Sequence, residues 1–143
     1  MLNLEIENKL SHIKHFLGVY SRDNLPEKAN SPSSLVANFD KYGEPGSHWI
    51  AIFIDNNGHG EYFDPYGLPP LHIEFLNFLQ INAHNLFWNK IPLQCDTCMT
   101  CGHYCVVYIK LRTKGLSHKE IISLFTSNKM TNETIVKTLY ESL

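Results

Sequence analysis

The feature that most constrains the fold is a strand–turn–strand pattern between His48 and Asp64. Residues 49–54 form an almost unbroken apolar run rich in β-branched and aromatic side chains, which is typical of a buried strand. The six residues that follow, DNNGHG, carry the Asn and Gly signals of a hairpin turn. Pro65 then stops the returning strand. The sequence therefore predicts an antiparallel strand pair whose open end brings His48 close to Asp64.

Helical periodicity on both sides of this hairpin predicts an α+β fold. The predicted helices are residues 2–17 ended by Gly18, residues 72–82, residues 101–114 ended by Gly115, one opened by a capping box from Ser117 to Glu120, and one capped by Thr131. A third strand is predicted over residues 86–88 and loops over residues 21–34 and 92–100, while residues 35–40 fit either a short strand or a helical turn. We expect a small mixed or antiparallel sheet packed by helices, with Cys101 at the N-terminus of a buried central helix.

The composition fits one folded domain over residues 1–143. Hydrophobic residues make up 43% of the chain, enough for a core, and no apolar run reaches the length of a membrane span. The first residues lack a basic region followed by a long apolar one, so we expect an intracellular, non-secreted protein. The net charge is −2 and the basic residues are scattered, so the composition does not force a nucleic-acid-binding surface.

Cys101 and Gly102 stand at the start of the predicted buried helix and form the first candidate site. The thiolate is the reactive form of cysteine, and the positive end of a helix stabilises it. The N–H groups at that end can hold an oxyanion, and a glycine lets a substrate backbone come close. A cysteine in this position can equally be a small, inert packing residue. The assignment therefore depends on what lies beside it.

Three other residues have the chemistry to assist this cysteine. His48, where a loop enters a strand, can act as a general base, and Trp49 can cover one side of it. Asp64, at the adjoining strand end, can accept the imidazole N–H and hold one tautomer. Gln94, in the loop before Cys101, can donate to an oxyanion without competing for the proton. Each of these residues alone also has an ordinary structural explanation.

Four short motifs occur in a fixed order along the chain. They are Gly46-Ser47-His48-Trp49, Phe63-Asp64-Pro65-Tyr66-Gly67, Gln94, and Cys101-Gly102-His103-Tyr104-Cys105, with Cys101 seven residues after Gln94. Together they resemble the motifs of the adenovirus-type cysteine endopeptidases, which are also found in Polinton-like transposons and related viruses. That family is distantly related to the ubiquitin-like-protein proteases. The likeness runs from about residue 10 to residue 112.

The resemblance implies a cysteine endopeptidase that works through an acyl-enzyme. The implied roles are nucleophile for Cys101, general base for His48, orienting carboxylate for Asp64, and oxyanion donor for Gln94 and the backbone N–H groups of Cys101 and Gly102, with Trp49 and Gly46 at the cleft. The implied substrates are capsid or core precursors of a virus or mobile element, cut after small residues such as Gly. The implied location is the host nucleus or the virus particle.

The better-known members of the family are basic and are stimulated by DNA and by a viral peptide. This chain is mildly acidic, so its charge supports neither activator. We expect no cofactor and no metal. We also expect no membrane partner.

The spacing of the four cysteines leaves an alternative open. Cys95-x2-Cys98-x2-Cys101-x3-Cys105 matches the iron–sulfur spacing of bacterial ferredoxins, and a zinc site is a weaker variant of the same idea. Val106 stands where a proline usually follows the fourth cysteine, and there is no second cysteine run. Otherwise Cys95, Cys98 and Cys105 are bystanders or redox-sensitive neighbours of the nucleophile, in a reducing compartment. Removal of ubiquitin-like tags, or a decayed protease with a structural role, are further alternatives.

Overall fold

A five-stranded mixed sheet lies at the centre of the fold in a computed structural model that describes residues 1, 3–44 and 47–143. Its strands follow one another in chain order: β1 Phe16–Ser21, β2 Ser33–Asn38, β3 Trp49–Ile54, β4 His59–Phe63 and β5 Asn85–Trp88. The three central strands are antiparallel, while β1 runs parallel to β2 and β5 runs parallel to β4. The mixed sheet agrees with the predicted α+β fold.

Helices cover both faces of the sheet. They are α1 Asn3–Leu10, α2 Ile73–Asn82, α3 Cys101–Thr113, α4 His118–Ile122 and α5 Lys129–Ser142. Helix α3 packs on one face of β3 and is surrounded by α1, α4 and α5. Helix α2 packs on the other face. None of the helices in the described part of the chain is both long and apolar enough to span a membrane.

Strand β3 is buried because its two faces belong to different cores. Trp49 and Ala51 pack in the core under α3, while Ile50 and Ile52 pack in the core under α2. A strand buried on both faces needs an unbroken apolar run rather than an alternating one. This explains the run from which the buried strand was predicted, and the prediction is confirmed.

Helix α3 is buried along most of its length, as its sequence predicted. Val106, Val107 and Ile109 are at most 1% exposed. Burial of each such side chain contributes about 1.5–3 kcal/mol to the free energy of unfolding. The nucleophile candidate Cys101 therefore begins a helix that is held firmly in the core.

The prediction of one helix over residues 2–17 was wrong in its second half. Helix α1 ends at Leu10, and residues from Phe16 onward form β1, so Gly18 lies inside a strand instead of ending a helix. The register between β1 and β2 shifts between Phe16 and Val19, and Gly18 at φ 140° lies within this irregularity. Parallel pairing with β2 is a long-range interaction that overrides the local helical spacing.

Several other boundaries differ from the prediction, since Ser21 belongs to β1 and residues 59–60 belong to β4 rather than to the predicted loop and turn. The predicted loop over residues 21–34 ends two residues early, because Ser33 and Ser34 open β2, which also decides that residues 35–38 are strand. Thr131 does not cap α5, because the cap is Asn128, whose side chain accepts from the Thr131 N–H at 3.0 Å. The capping box of Ser117 and Glu120 is present at the start of α4, as predicted.

Candidate active site

The hairpin joins His48 to Asp64 at its open end. Ala51 of β3 pairs with Phe63 of β4, so the chain just before Trp49 runs beside the chain just after Phe63. His48 Nε2 lies 2.7 Å from Asp64 Oδ1, and both residues are buried. Asp64 therefore occupies one ring nitrogen of the imidazole, and Nδ1 remains as the nitrogen that can exchange a proton with a neighbour.

Two aromatic rings hold the His48 ring between them. Tyr66 stacks on it with ring centroids 4.7 Å apart, and Phe39 meets it edge-on at 4.8 Å. The Tyr66 N–H also donates to Asp64 Oδ1 at 2.8 Å, so the residue that covers the imidazole also restrains its carboxylate partner. The backbone carbonyl of His48 accepts from the Phe39 N–H at 3.0 Å. These contacts limit rotation of the imidazole.

Asn89 fixes the backbone of Asp64. Its Oδ1 accepts from the Asp64 N–H at 3.0 Å and its Nδ2 donates to the Asp64 carbonyl at 2.7 Å. Asn89 is 1% exposed and directly follows β5. Because β4 and β5 are parallel, their carboxyl ends meet at the same edge of the sheet. Sequence reasoning missed Asn89, and the signal that could have found it is this parallel pairing.

Cys101 lies in the same cleft as His48. Burial by itself raises the pKa of the Cys101 thiol, but the neighbouring His48 imidazole and the backbone N–H groups of Trp49 and Gly102 outweigh burial, so the pKa lies below its usual value. Burial lowers the pKa of His48, but the hydrogen bond with Asp64 and the neighbouring Cys101 outweigh it and raise that pKa to about 9. Both shifts favour a thiolate–imidazolium pair.

The first turn of α3 has no side-chain cap on its N–H groups. Thr100 is the N-cap residue, but its side chain makes no capping hydrogen bond. Its hydroxyl donates to the carboxylate of Glu133 in α5 at 2.6 Å, and Tyr104 donates to the other oxygen of Glu133 at 2.9 Å. The first N–H groups of a helix have no partner within the helix. They can therefore stabilise negative charge at Cys101.

Gln94 presents its amide to the cleft from the loop before α3. It is fully buried, and its Nε2 donates to the Cys98 carbonyl at 2.7 Å. A primary amide has two N–H donors. The hydrogen bond to Cys98 uses one and orients the group, which leaves the second for a ligand in the cleft that Gln94 and Cys101 both line.

A close backbone approach places the Gln94 loop. The N–H groups of Leu93 and Gln94 both donate to the carbonyl of Pro65, at 2.9 and 3.0 Å. Gly67, at φ 74°, lies so near that a side-chain carbon there would come within 2.8 Å of the Pro92 nitrogen. The Asp-Pro-Tyr-Gly turn thus carries Asp64 and also supports the segment that carries Gln94.

Three further residues were predicted at the cleft, and each has a different outcome. Trp49 lines the cleft, and its indole N–H donates to the Met1 carbonyl at 3.2 Å. Gly46 lies outside the described residues. Gly102 was expected to admit a substrate backbone, but a side-chain carbon there would meet the Met1 sulfur at 2.9 Å, so its lack of a side chain serves packing between α3 and the N-terminal segment.

The four cysteines do not converge on one point. Cys95 and Cys98 form a disulfide, while Cys101 and Cys105 are free. In residues 1, 3–44 and 47–143, no group of three or more His, Cys, Asp or Glu side chains is arranged to hold a metal ion. The arrangement gives no support to the iron–sulfur or zinc alternative. The disulfide itself was not predicted.

The reactive groups lie in a small cleft rather than in the larger cavity beside Arg112. The cleft that contains His48 and Cys101 has a volume of about 90 Å³. A cavity of about 370 Å³ lies elsewhere, beside Lys14, Phe53 and Arg112, and its described lining includes none of the predicted catalytic residues. We assign the small cleft as the candidate active site. Of these two cavities, only the small cleft combines a nucleophile with a base.

Comparisons with known proteins show similarity to viral proteases in sequence and in fold. The chain is 33% identical over 111 residues to a protein of Acanthamoeba polyphaga mimivirus named "Putative thiol protease R355", an alignment that covers 71% of this chain and 36% of that protein. A crystal structure of the ASFV pS273R protease superposes with a TM-score of 0.69 at 20% identity, over 97% of this chain and 65% of that one. A selenomethionine structure of the same protease matches with 26% identity and a TM-score of 0.54, over 75% and 43%.

The chain therefore resembles a viral thiol protease in sequence and a viral protease in fold. The expected likeness and the expected protease fold are confirmed. The chain spans 36% of the length of the curated mimivirus protein and 65% of the length of the pS273R chain.

Two further comparisons concern a bacterial protein of known structure and the known protein families. The central domain of the uncharacterized Lpg1148 protein from Legionella pneumophila shares the fold of this chain, with a TM-score of 0.55 at 14% identity over 99% of this chain and 94% of that one. No protein-family model matches the chain. The distance to known relatives makes the geometry of the cleft the main guide to mechanism.

Proposed function

We propose that the protein is a cysteine endopeptidase in which Cys101 is the nucleophile, His48 the general base, and Asp64 the residue that orients His48. The observation that carries this proposal is the 2.7 Å contact between His48 and the buried Asp64 carboxylate, with Cys101 in the same cleft at the start of α3. A nucleophile, a base and a group orienting the base in this order form the arrangement used in acyl transfer.

Catalysis begins with the thiolate of Cys101 attacking the carbonyl carbon of the scissile peptide. The oxyanion receives hydrogen bonds from the second N–H of Gln94 and from backbone N–H groups at the start of α3. Imidazolium His48 then donates its proton to the leaving amine, and a thioester to Cys101 remains. Neutral His48 next removes a proton from water, which hydrolyses the thioester and restores the thiol.

The cleft favours a small residue before the cut. Trp49, Tyr66, Met99 and Gln94 stand around Cys101, and the cleft volume is about 90 Å³. A glycine places no side chain against these walls. The substrates we propose are structural precursors of a virus or mobile element that carry such small residues at their processing sites, in line with the viral origin of the relatives.

A peptide electrophile tests the proposal directly. A vinyl sulfone on a peptide ending in glycine is expected to label Cys101 once per chain, as mapped by mass spectrometry of the modified peptide. The same electrophile on a peptide ending in leucine is the matched control and is expected to react at least about tenfold more slowly, the scale of discrimination expected for a misfit in a pocket. Labelling of another residue, or of none, would contradict the assignment of the nucleophile.

A further inference from the structure

A disulfide lies beside the proposed nucleophile, within the loop that precedes α3. Cys95 and Cys98 close a four-residue turn, in which the Cys98 N–H donates to the Cys95 carbonyl at 3.1 Å. Their Cα atoms are 5.2 Å apart, within the ordinary range for a disulfide. Cys95 is 8% exposed, whereas Cys98 is partly exposed and lines the same cleft as Cys101. One member of the pair thus lines the cleft that contains the reactive thiol.

The other free thiol is placed differently. Cys105 is fully buried in the core and does not line the cleft. When Cys95 and Cys98 are reduced, Cys98 is the cysteine that shares the cleft with Cys101. A partly exposed thiolate such as Cys101 is also the kind of cysteine that peroxides oxidise first.

We propose that Cys98 is a resolving cysteine, which rescues Cys101 from oxidation by hydroperoxides and passes the oxidation to the Cys95–Cys98 pair. This activity goes beyond peptide hydrolysis and uses only the thiol chemistry of the cleft.

The steps balance in atoms and electrons. The Cys101 thiol and hydrogen peroxide give the sulfenic acid and one water. The Cys98 thiol attacks the Cys101 sulfur, a second water leaves, and a Cys98–Cys101 disulfide forms. The Cys95 thiolate then attacks the Cys98 sulfur and expels the Cys101 thiolate, so that the Cys95–Cys98 disulfide remains. An external dithiol returns this pair to the reduced state.

The environment of Cys101 favours the last step. Exchange is faster when the departing thiol has the lower pKa. The neighbouring His48 imidazole and the N–H groups around Cys101 lower the pKa of that thiol and stabilise it as a leaving group. The four-residue turn keeps Cys95 within bonding distance of Cys98 and so makes the attack intramolecular.

Paired cysteine variants test this relay, the passage of oxidation from Cys101 to the Cys95–Cys98 pair. Each variant keeps only two cysteines, so the oxidised residues are assigned without ambiguity. In a Cys105→Ala background, Cys95→Ser leaves only Cys98 and Cys101, and Cys98→Ser leaves only Cys95 and Cys101. Each reduced protein is treated with hydrogen peroxide, denatured, and exposed to N-ethylmaleimide before and after dithiothreitol. The adducts are counted by intact mass, and a non-reducing gel verifies that the chain is monomeric.

The two variants are expected to differ in the number of free thiols that dithiothreitol restores after peroxide treatment. The Cys95→Ser protein should show no free thiol after peroxide and two after reduction, because Cys98 and Cys101 form a disulfide. The Cys98→Ser protein should recover only Cys95, because Cys101 proceeds to sulfinic acid, which dithiothreitol does not reduce. With one equivalent of peroxide, the Cys105→Ala parent should end with one free thiol, Cys101, whereas formation of sulfinic acid in the Cys98→Ser protein takes two equivalents or more.

The relay is overturned if dithiothreitol does not recover both thiols of the peroxide-treated Cys95→Ser protein. The Cys95→Ser protein decides the question by itself, even if the Cys98 variant folds poorly. Because the readout counts thiols and not cleaved peptides, a negative result here leaves the proposed peptidase activity standing. Absence of peptidase activity would in turn leave this result interpretable.

Discussion

The first two turns of α3 carry two cysteines with opposite properties. Cys101, in the first turn, is partly exposed, and its pKa is lowered by His48 and by neighbouring N–H groups despite burial. Cys105, one turn later, is fully buried, and burial together with the negative charges of Cys101 and Asp64 raises the pKa of its thiol well above the usual value. The two residues are identical in chemistry and lie on the same helix.

The difference shows that reactivity depends on position relative to the helix end. At the first turn, N–H groups without a helical partner stabilise an anion, and an imidazole lies alongside. At the second turn those N–H groups are used within the helix and the surroundings are apolar. Thr100 contributes to this difference, because its hydroxyl turns to Glu133 instead of capping the helix.

The test with the largest expected effect replaces each of the two cysteines by alanine. Cys101→Ala is expected to lower the rate of peptide cleavage by at least about 10⁴-fold, since it removes the nucleophile. Cys105→Ala should keep the activity and lower the free energy of unfolding by about 1 kcal/mol, the typical cost of a small core change. Cleavage rates and denaturant melts of the two variants measure both effects. Equal losses of activity would remove the distinction between the two turns.

Removal of His48 should make the pKa of the Cys101 thiol more like the raised pKa of the Cys105 thiol. His48→Ala is expected to lower kcat/KM by about 10³-fold through loss of the acid–base group. It should also move the rise in alkylation rate of Cys101 to higher pH, because burial then raises the thiol pKa with less to oppose it. Iodoacetamide rates measured across pH give this profile. His103→Gln is the control, since His103 stands two residues after Cys101 on the same helix.

The pH profile of the unaltered protein follows from the same pair. The thiolate–imidazolium pair forms as pH rises through the lowered pKa of Cys101 and is lost as His48 releases its proton near pH 9. We expect a bell-shaped kcat/KM with its alkaline limb near pH 9. Asp64→Asn should move that limb to lower pH, because the carboxylate that helps to raise the His48 pKa is gone. If the alkaline limb of the Asp64→Asn profile does not move, Asp64 is excluded as the group that raises the His48 pKa.

The smallest expected effect on catalysis concerns Gln94. Gln94→Ala should lower kcat by about 10²-fold with little change in KM, as for the loss of one oxyanion donor. Alkylation of Cys101 by iodoacetamide, which forms no oxyanion, should change little. Gln80→Ala, on the exposed face of α2, is the control for loss of a glutamine. An equal loss in alkylation would indicate that Gln94 supports the thiolate instead.

Local sequence signals predicted the elements that carry the candidate site. The apolar run and the DNNGHG turn define β3 and β4, and that hairpin alone brings His48 to Asp64. The buried run after Cys101 predicted α3 and its start. By contrast, Phe16 and Leu17 were assigned to a helix, because their spacing fits a helical stripe as well as a strand. The choice between the two depends on pairing with β2, which is distant in sequence.

The amino-acid sequence by itself determined which chemical groups could meet: a thiol at a helix start, and an imidazole and a carboxylate at one end of a hairpin. Only the tertiary structure decided how those groups are supported. The parallel pairing of β5 brings Asn89 to Asp64, α5 brings Glu133 to Thr100, and the loop before α3 joins Cys95 to Cys98. The physical reason is range, since hairpins and helices follow from neighbouring residues, whereas these supports depend on contacts that form only when distant or irregular segments pack together.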